Sequence, residues 1–107
     1  ADISNGSTNY TLTHQTAVSA NSWNHGALVR SGTSITLYLN GVANSSPQTV
    51  ASNYILNGSG STIYIGYASS GSVISSFNGY MDDLRITKGY ARYTSNFTPP
   101  TSAFQLF

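Results

Sequence analysis

The sequence predicts an all-β protein, an antiparallel sandwich or barrel built around one core. Three observations lead there. Apolar and polar residues alternate with period two along most of the chain, and turn residues interrupt them at short intervals. No segment carries the apolar periodicity of an amphipathic helix over about ten residues or more. Third, only 7% of the 107 residues are charged while 39% are hydrophobic, with eight Tyr, four Phe and one Trp. Disordered chains are poor in aromatics and rich in net charge, so this chain folds, with a surface of Ser, Thr, Asn and Gly.

The elements follow in order. Residues 10–14 (YTLTH) alternate as a strand, with Tyr10, Leu12 and His14 on one face. After Asn21-Ser22, residues 23–30 (WNHGALVR) form a second strand, with Trp23, His25, Ala27 and Val29 on one face. Residues 31–34 turn the chain into residues 35–39, whose Ile35, Leu37 and Leu39 face one way. Asn40-Gly41 is a hairpin signal, because both central residues of a type I′ turn need positive φ. Val42-Ala43 then starts the return strand.

Residues 44–61 read as polar loop around the apolar run Tyr54-Ile55-Leu56, residues 62–67 as a strand, and residues 68–72 as a Ser/Gly loop. Residues 80–86 (YMDDLRI) read as a strand with Leu84 and Ile86 core-facing. From Thr87 the chain becomes irregular, and Pro99-Pro100 holds it extended. Residues 87–107 are expected to form a clasp anchored by Tyr90, Tyr93, Phe97 and Phe104.

Composition excludes several functions. A net charge of +1 attracts neither nucleic acid nor an anionic membrane. No apolar run approaches the ~18 residues of a membrane span. With no cysteine there is no disulfide scaffold and no thiolate zinc site. The five sequons, at Asn5, Asn9, Asn44, Asn57 and Asn96, are what a chain rich in Asn, Ser and Thr produces by chance.

Several motifs in order carry a family resemblance. The stretch SANSWNHGALVRSGTSITLYLNGV supplies Trp23, His25, Ala27, Arg30, Leu37, Tyr38, Asn40 and Gly41; STIYIGYA and FNGYMDDLRI follow. Residues 10–104 thus resemble LamG-like jelly-roll domains of the concanavalin A-like lectin/glucanase superfamily. The ending TKGYARYTSNFTPPTSAF is similar to that of versions found in bacteriophage structural proteins and related bacterial surface proteins. The resemblance implies an antiparallel jelly-roll sandwich. Relatives have several strands before the Trp-x-His segment, so residues 1–107 would be the C-terminal portion of one such domain. The remainder of a longer chain, or another chain, would complete it.

Candidate residues follow. Tyr80, Asp82, Leu84 and Ile86 share one parity, so Asp82 is expected on the core side, accepting hydrogen bonds from His25 or a loop backbone. Asp83 faces outward beside Arg85, as a surface pair. Calcium is the functional alternative at Asp83, since it takes hard oxygen ligands. Two adjacent carboxylates on one strand point to opposite faces, however, and cannot both grip one ion without a bulge. No other cofactor is expected. Glycosidases need two flanking carboxyl groups; relatives that are glycosidases use a pair of Glu, which this chain lacks, and no Gly-x-Ser-x-Gly motif is present. The chain therefore reads as no enzyme. Aromatic faces and amides hold sugars, and Tyr38, Tyr54, Asn57, Tyr64 and Tyr67 are the candidate glycan contacts. The same tyrosines equally suit packing in a sandwich.

Two functions are consistent with this reading. One is a non-catalytic virion module (tail fibre, spike or capsid decoration) that joins other subunits as a homo-oligomer and adheres to glycans. The alternative is a carbohydrate-binding module of a secreted or surface bacterial protein. A protein-binding role like that of laminin G domains stays open, because fold does not choose among them.

Overall fold

Strands and turns account for every regular element in the computed structural model, which describes residues 1–5, 7–54, 64–70 and 73–105. Eight strands and no helix occur among them: β1 (Asp2–Ser4), β2 (Asn9–Thr11), β3 (Gly26–Ser31), β4 (Ser34–Leu39), β5 (Val42–Ala43), β6 (Gln48–Thr49), β7 (Tyr67–Ser70) and β8 (Val73–Ser76). All pairings are antiparallel. β1 pairs β2, β7 pairs β8, and β4 lies between β3 on one side and β5 and β6 on the other.

The central sheet follows from local chemistry. Asn40 (φ 51°) and Gly41 (φ 82°) both occupy the left-handed region, so the Asn-Gly turn has the twist that a tight hairpin needs, and Leu39 pairs Val42. At the other end of β4, Gly32 (φ 59°) turns β3 back and Ser31 faces Ser34. Arg30 ties this end to the chain beyond β6: its guanidinium donates to the Tyr54 carbonyl and, at 3.3 Å, to that of Ser52.

Residues 44–47 are loop as expected, but Gln48 and Thr49, also expected as loop, form β6 and resume the third strand. Buried Asn44 bridges the gap between β5 and β6. Its N–H donates to the Leu37 carbonyl at 2.7 Å, and its side-chain oxygen accepts from the Leu37 N–H at 3.0 Å. Its amide nitrogen donates to Ser46 O at 2.7 Å. One asparagine thus replaces the missing ladder bonds, and β6 resumes pairing at Ser34 and Ile35.

The two faces of β4 bury different things. Ile35 packs with Ile3, Leu12, Val50 and Tyr54, and Tyr10 and Leu37 close over them. On the opposite face Tyr38 is only 2% exposed, covered by Tyr93 and Phe97, whose rings stack 3.6 Å apart. Tail and hairpin are joined by Phe97 N–H donating to Gly41 O at 2.9 Å and by Ala43 N–H donating to the Asn96 side chain.

Other expectations are corrected as well, and the strand expected over residues 62–67 is absent at 64–66. Residues 68–70, expected as loop, belong to β7. Residues 80–86, expected as a strand, contain no strand, and Asp83 takes φ 51°. That break reverses the parity: Leu84 and Ile86 are 62% and 73% exposed, while half-buried Arg85 turns inward to lie 3.7 Å from the Phe104 ring centroid. Tyr90, expected as a clasp anchor, is exposed, whereas Tyr93 and Phe97 pack on β4.

Candidate functional site

Asn24 organises one wall of a surface cleft. Its amide nitrogen donates to Ser19 O at 2.8 Å and to Ser22 O at 2.9 Å, folding residues 19–24 into a tight loop. Asn21 supplies the bend, at φ 56°. The Asn24 side-chain oxygen accepts from the Asn40 amide at 3.2 Å, and Asn40 accepts from His25 N–H. The loop is therefore tied to the same turn that joins β4 to β5, and it presents Trp23 outward, 72% exposed.

Residues 77–80 form the facing wall. Phe77 N–H donates to Gly66 O at 2.8 Å, fixing the end of β8. The Phe77 ring folds over Gly79, where a Cβ would meet it at 2.9 Å. Phe77 and Tyr80 remain 57% and 87% exposed. The cleft between the walls has a volume of about 620 Å³, lined by Trp23, Phe77, Tyr80 and Val18 together with Asn21, Ser22 and Asn78. None of its lining residues is charged.

Such a lining suits neutral ligands with an apolar ring face and polar edges. Aromatic faces take up the C–H faces of a pyranose, and neighbouring amides and hydroxyls bond its edges. Proton transfer at a glycosidic bond needs carboxyl groups flanking it, and no carboxylate lines this cleft.

Most residues singled out from the sequence lie elsewhere. Tyr38, expected on an exposed face, is buried under the tail. Tyr54 is 5% exposed; its hydroxyl donates to Thr8 O at 3.1 Å and its ring meets Tyr10 edge-on. Neither offers a free face. Asn57 lies outside the described residues. Tyr64 and Tyr67 are exposed neighbours with centroids 5.4 Å apart.

The polar set is rearranged as well. Asp82 is exposed and makes no bond to His25: its Oδ1 accepts from Asp83 N–H at 2.8 Å. The left-handed turn at Asp83 is what keeps it off the core. His25 packs edge-on against Tyr93 and Phe97, and its Nδ1 is buried without a partner among the described residues. Asp83 and Arg85 meet through Phe104 instead of pairing: Asp83 Oδ2 accepts from Phe104 N–H at 3.3 Å, while Arg85 lies on the ring. No cluster of three or more His, Cys, Asp or Glu suited to a cation occurs among the described residues.

Trp23 and Tyr80 read as strand residues and Phe77 as part of the approach to residues 80–86, so nothing in the alternation groups the three. The available signal was their company: Asn21-Ser22-Trp23-Asn24 and Phe77-Asn78-Gly79-Tyr80 both set aromatics among amide-rich turn residues. Among known proteins, the family model for the concanavalin A-like lectin/glucanases superfamily matches residues 1–92. Comparison with the curated proteins and with the solved structures gives no match.

Proposed function

Because the chain belongs to the concanavalin A-like lectin/glucanase superfamily, we propose that it is a non-catalytic carbohydrate-binding module whose ligand lies in the Trp23–Tyr80 cleft. The observation that carries this reading is the set of three exposed aromatics around an uncharged, amide-lined cleft. Isolated exposed aromatics are ordinary, but three converging on one concave site are not. A cleft of this size suits a short oligosaccharide. Its neutral lining favours uncharged sugars over sialylated or sulfated ones, which call for a basic group.

The setting we propose is a virion, where the module serves as an adhesion or structural part such as a tail fibre, spike or decoration protein. The support is the similarity of residues 87–104 to endings in bacteriophage structural proteins. Neither a cofactor nor calcium enters this proposal.

The test uses the single tryptophan. Titration with a panel of neutral oligosaccharides should shift Trp23 emission to the blue as a sugar ring displaces water. Trp23→Ala or Tyr80→Ala should weaken binding, measured calorimetrically, by about three- to tenfold each. A panel that produces no heat and no emission change, or full affinity in the double variant, would remove the cleft as the site.

A further inference from the structure

One wall of the cleft carries a chemically reactive pair. Four Asn-Gly pairs occur in the chain, at residues 5–6, 40–41, 57–58 and 78–79. Gly has no Cβ to crowd its backbone nitrogen, so that nitrogen can reach the side-chain carbonyl of the Asn before it. Reaction needs both groups free. A side chain already held by hydrogen bonds has to break them first.

The structure separates these pairs. Asn40 is held at both ends of its amide: Oδ1 accepts from His25 N–H at 2.8 Å, and the nitrogen donates to Asn24 Oδ1 at 3.2 Å. Gly41 beside it is buried. Asn5 Oδ1 accepts from the N–H groups of Ser7 and Thr8, at 3.0 and 2.7 Å, and residues 57–58 lie outside the described residues. Asn78 differs. It and Gly79 are exposed, and neither the Asn78 side chain nor the Gly79 N–H has a hydrogen-bond partner among the described residues. Gly79 has no left-handed φ to explain it; the Phe77 ring occupies the place of a Cβ there.

We propose that Asn78 is a site of spontaneous deamidation that turns the neutral cleft acidic. The Gly79 nitrogen gives up its proton and attacks the Asn78 side-chain carbonyl carbon. The bond from that carbon to the amide nitrogen breaks, ammonia leaves with the proton, and a succinimide ring closes. Water opens the ring at either carbonyl, giving aspartate or isoaspartate. The net change is amide plus water to carboxylic acid plus ammonia, with no oxidant or reductant. Because Asn78 lines the cleft and no charged residue does, the new carboxylate sets the sign of the site. It also cancels the chain's net charge of +1. The effect on ligands rests on the carbohydrate reading: an acidic cleft favours amino sugars, whose ammonium group forms charge-assisted hydrogen bonds with a carboxylate.

Incubating the folded chain at mildly alkaline pH, which promotes loss of the Gly79 proton, and mapping its peptides by mass spectrometry tests the site. Aspartate and isoaspartate should accumulate at position 78 at least about tenfold faster than at position 40, where two hydrogen bonds must break first. Isoelectric focusing should show a matching acidic band, absent from Asn78→Gln. An Asn78 that stays intact, or that converts no faster than Asn40, overturns the proposal. The charge effect is read calorimetrically with glucosamine oligomers and N-acetylglucosamine oligomers. Asn78→Asp should raise the ratio of their affinities in favour of the amine by about two- to fivefold over the parent. An unchanged ratio overturns the charge effect. If neither chain binds either sugar, the carbohydrate reading falls and takes the charge effect with it, while the peptide map judges the deamidation site independently.

Discussion

Gly41→Ala is the sharpest perturbation of how the tail is held. Gly41 is buried at φ 82°, where a side chain costs about 1–2 kcal/mol from backbone strain alone. Here the space is taken as well. A Cβ would sit 1.8 Å from Phe97 O and 3.1 Å from Pro99 Cδ, so the tail has to withdraw. Withdrawal breaks the Phe97-to-Gly41 hydrogen bond, worth about 1 kcal/mol. It also loosens Phe97 and Tyr93 from Tyr38, at about 0.5–1.5 kcal/mol per aromatic pair. The expected loss is about 3–6 kcal/mol, a large share of the ~5–15 kcal/mol of a small domain.

Gly32→Ala is the control. Gly32 has φ 59° but nothing within 4 Å of an added Cβ, so only the strain remains. With about 4–8 °C of Tm per kcal/mol at this size, Gly32→Ala should lower Tm by about 5–10 °C and Gly41→Ala by about 15 °C or more. Thermal unfolding followed by near-ultraviolet circular dichroism reads both, and the Tyr38–Tyr93–Phe97 signal should fall in Gly41→Ala alone. Equal Tm losses in the two variants would refute the claim that the tail seats against the hairpin turn.

Other outcomes are expected from the same structure. Leu12→Ala, at a side chain 1% exposed, should cost about 2–5 kcal/mol in urea denaturation, and Ile35→Val about 0.5–1.5 kcal/mol. Asn44→Ala strips partners from Leu37 N–H and Ser46 O and should cost about 2–4 kcal/mol. Asn44→Asp, which keeps the acceptor for Leu37, should recover part of that. Asp82→Ala should change stability by less than about 0.5 kcal/mol, since the residue is exposed and bonded only to its neighbour; a melting shift beyond that would return Asp82 to a structural role.

The central hairpin was legible because its information is local. Asn-Gly requires two positive φ values, and the alternation of residues 35–39 assigns Ile35 to a core. The start of the third strand at Val42-Ala43 was legible too, but its resumption at Gln48 was not, because it depends on one Asn supplying ladder bonds across a gap, and composition marks that stretch only as polar. The candidate site was legible as a chemistry, aromatics with amides, but mostly at the wrong residues. The strand parity of Tyr38 and the loop setting of Tyr54 both point outward in the sequence, yet tertiary contacts bury the two rings. Trp23 was assigned to a strand face but begins outside β3.

By itself, then, the sequence determined the fold class, the hairpin register and the uncharged character of the surface, since these rest on neighbours a few residues apart. Three things awaited the tertiary structure. The tail, 55 residues beyond Tyr38, covers the second face of β4. The left-handed turn at Asp83 reverses which of residues 84–86 face out. Two loops far apart in sequence meet to form the Trp23–Tyr80 cleft. Alternation states which side chains share a face; what lies over that face is settled only by long-range packing, which no local pattern encodes.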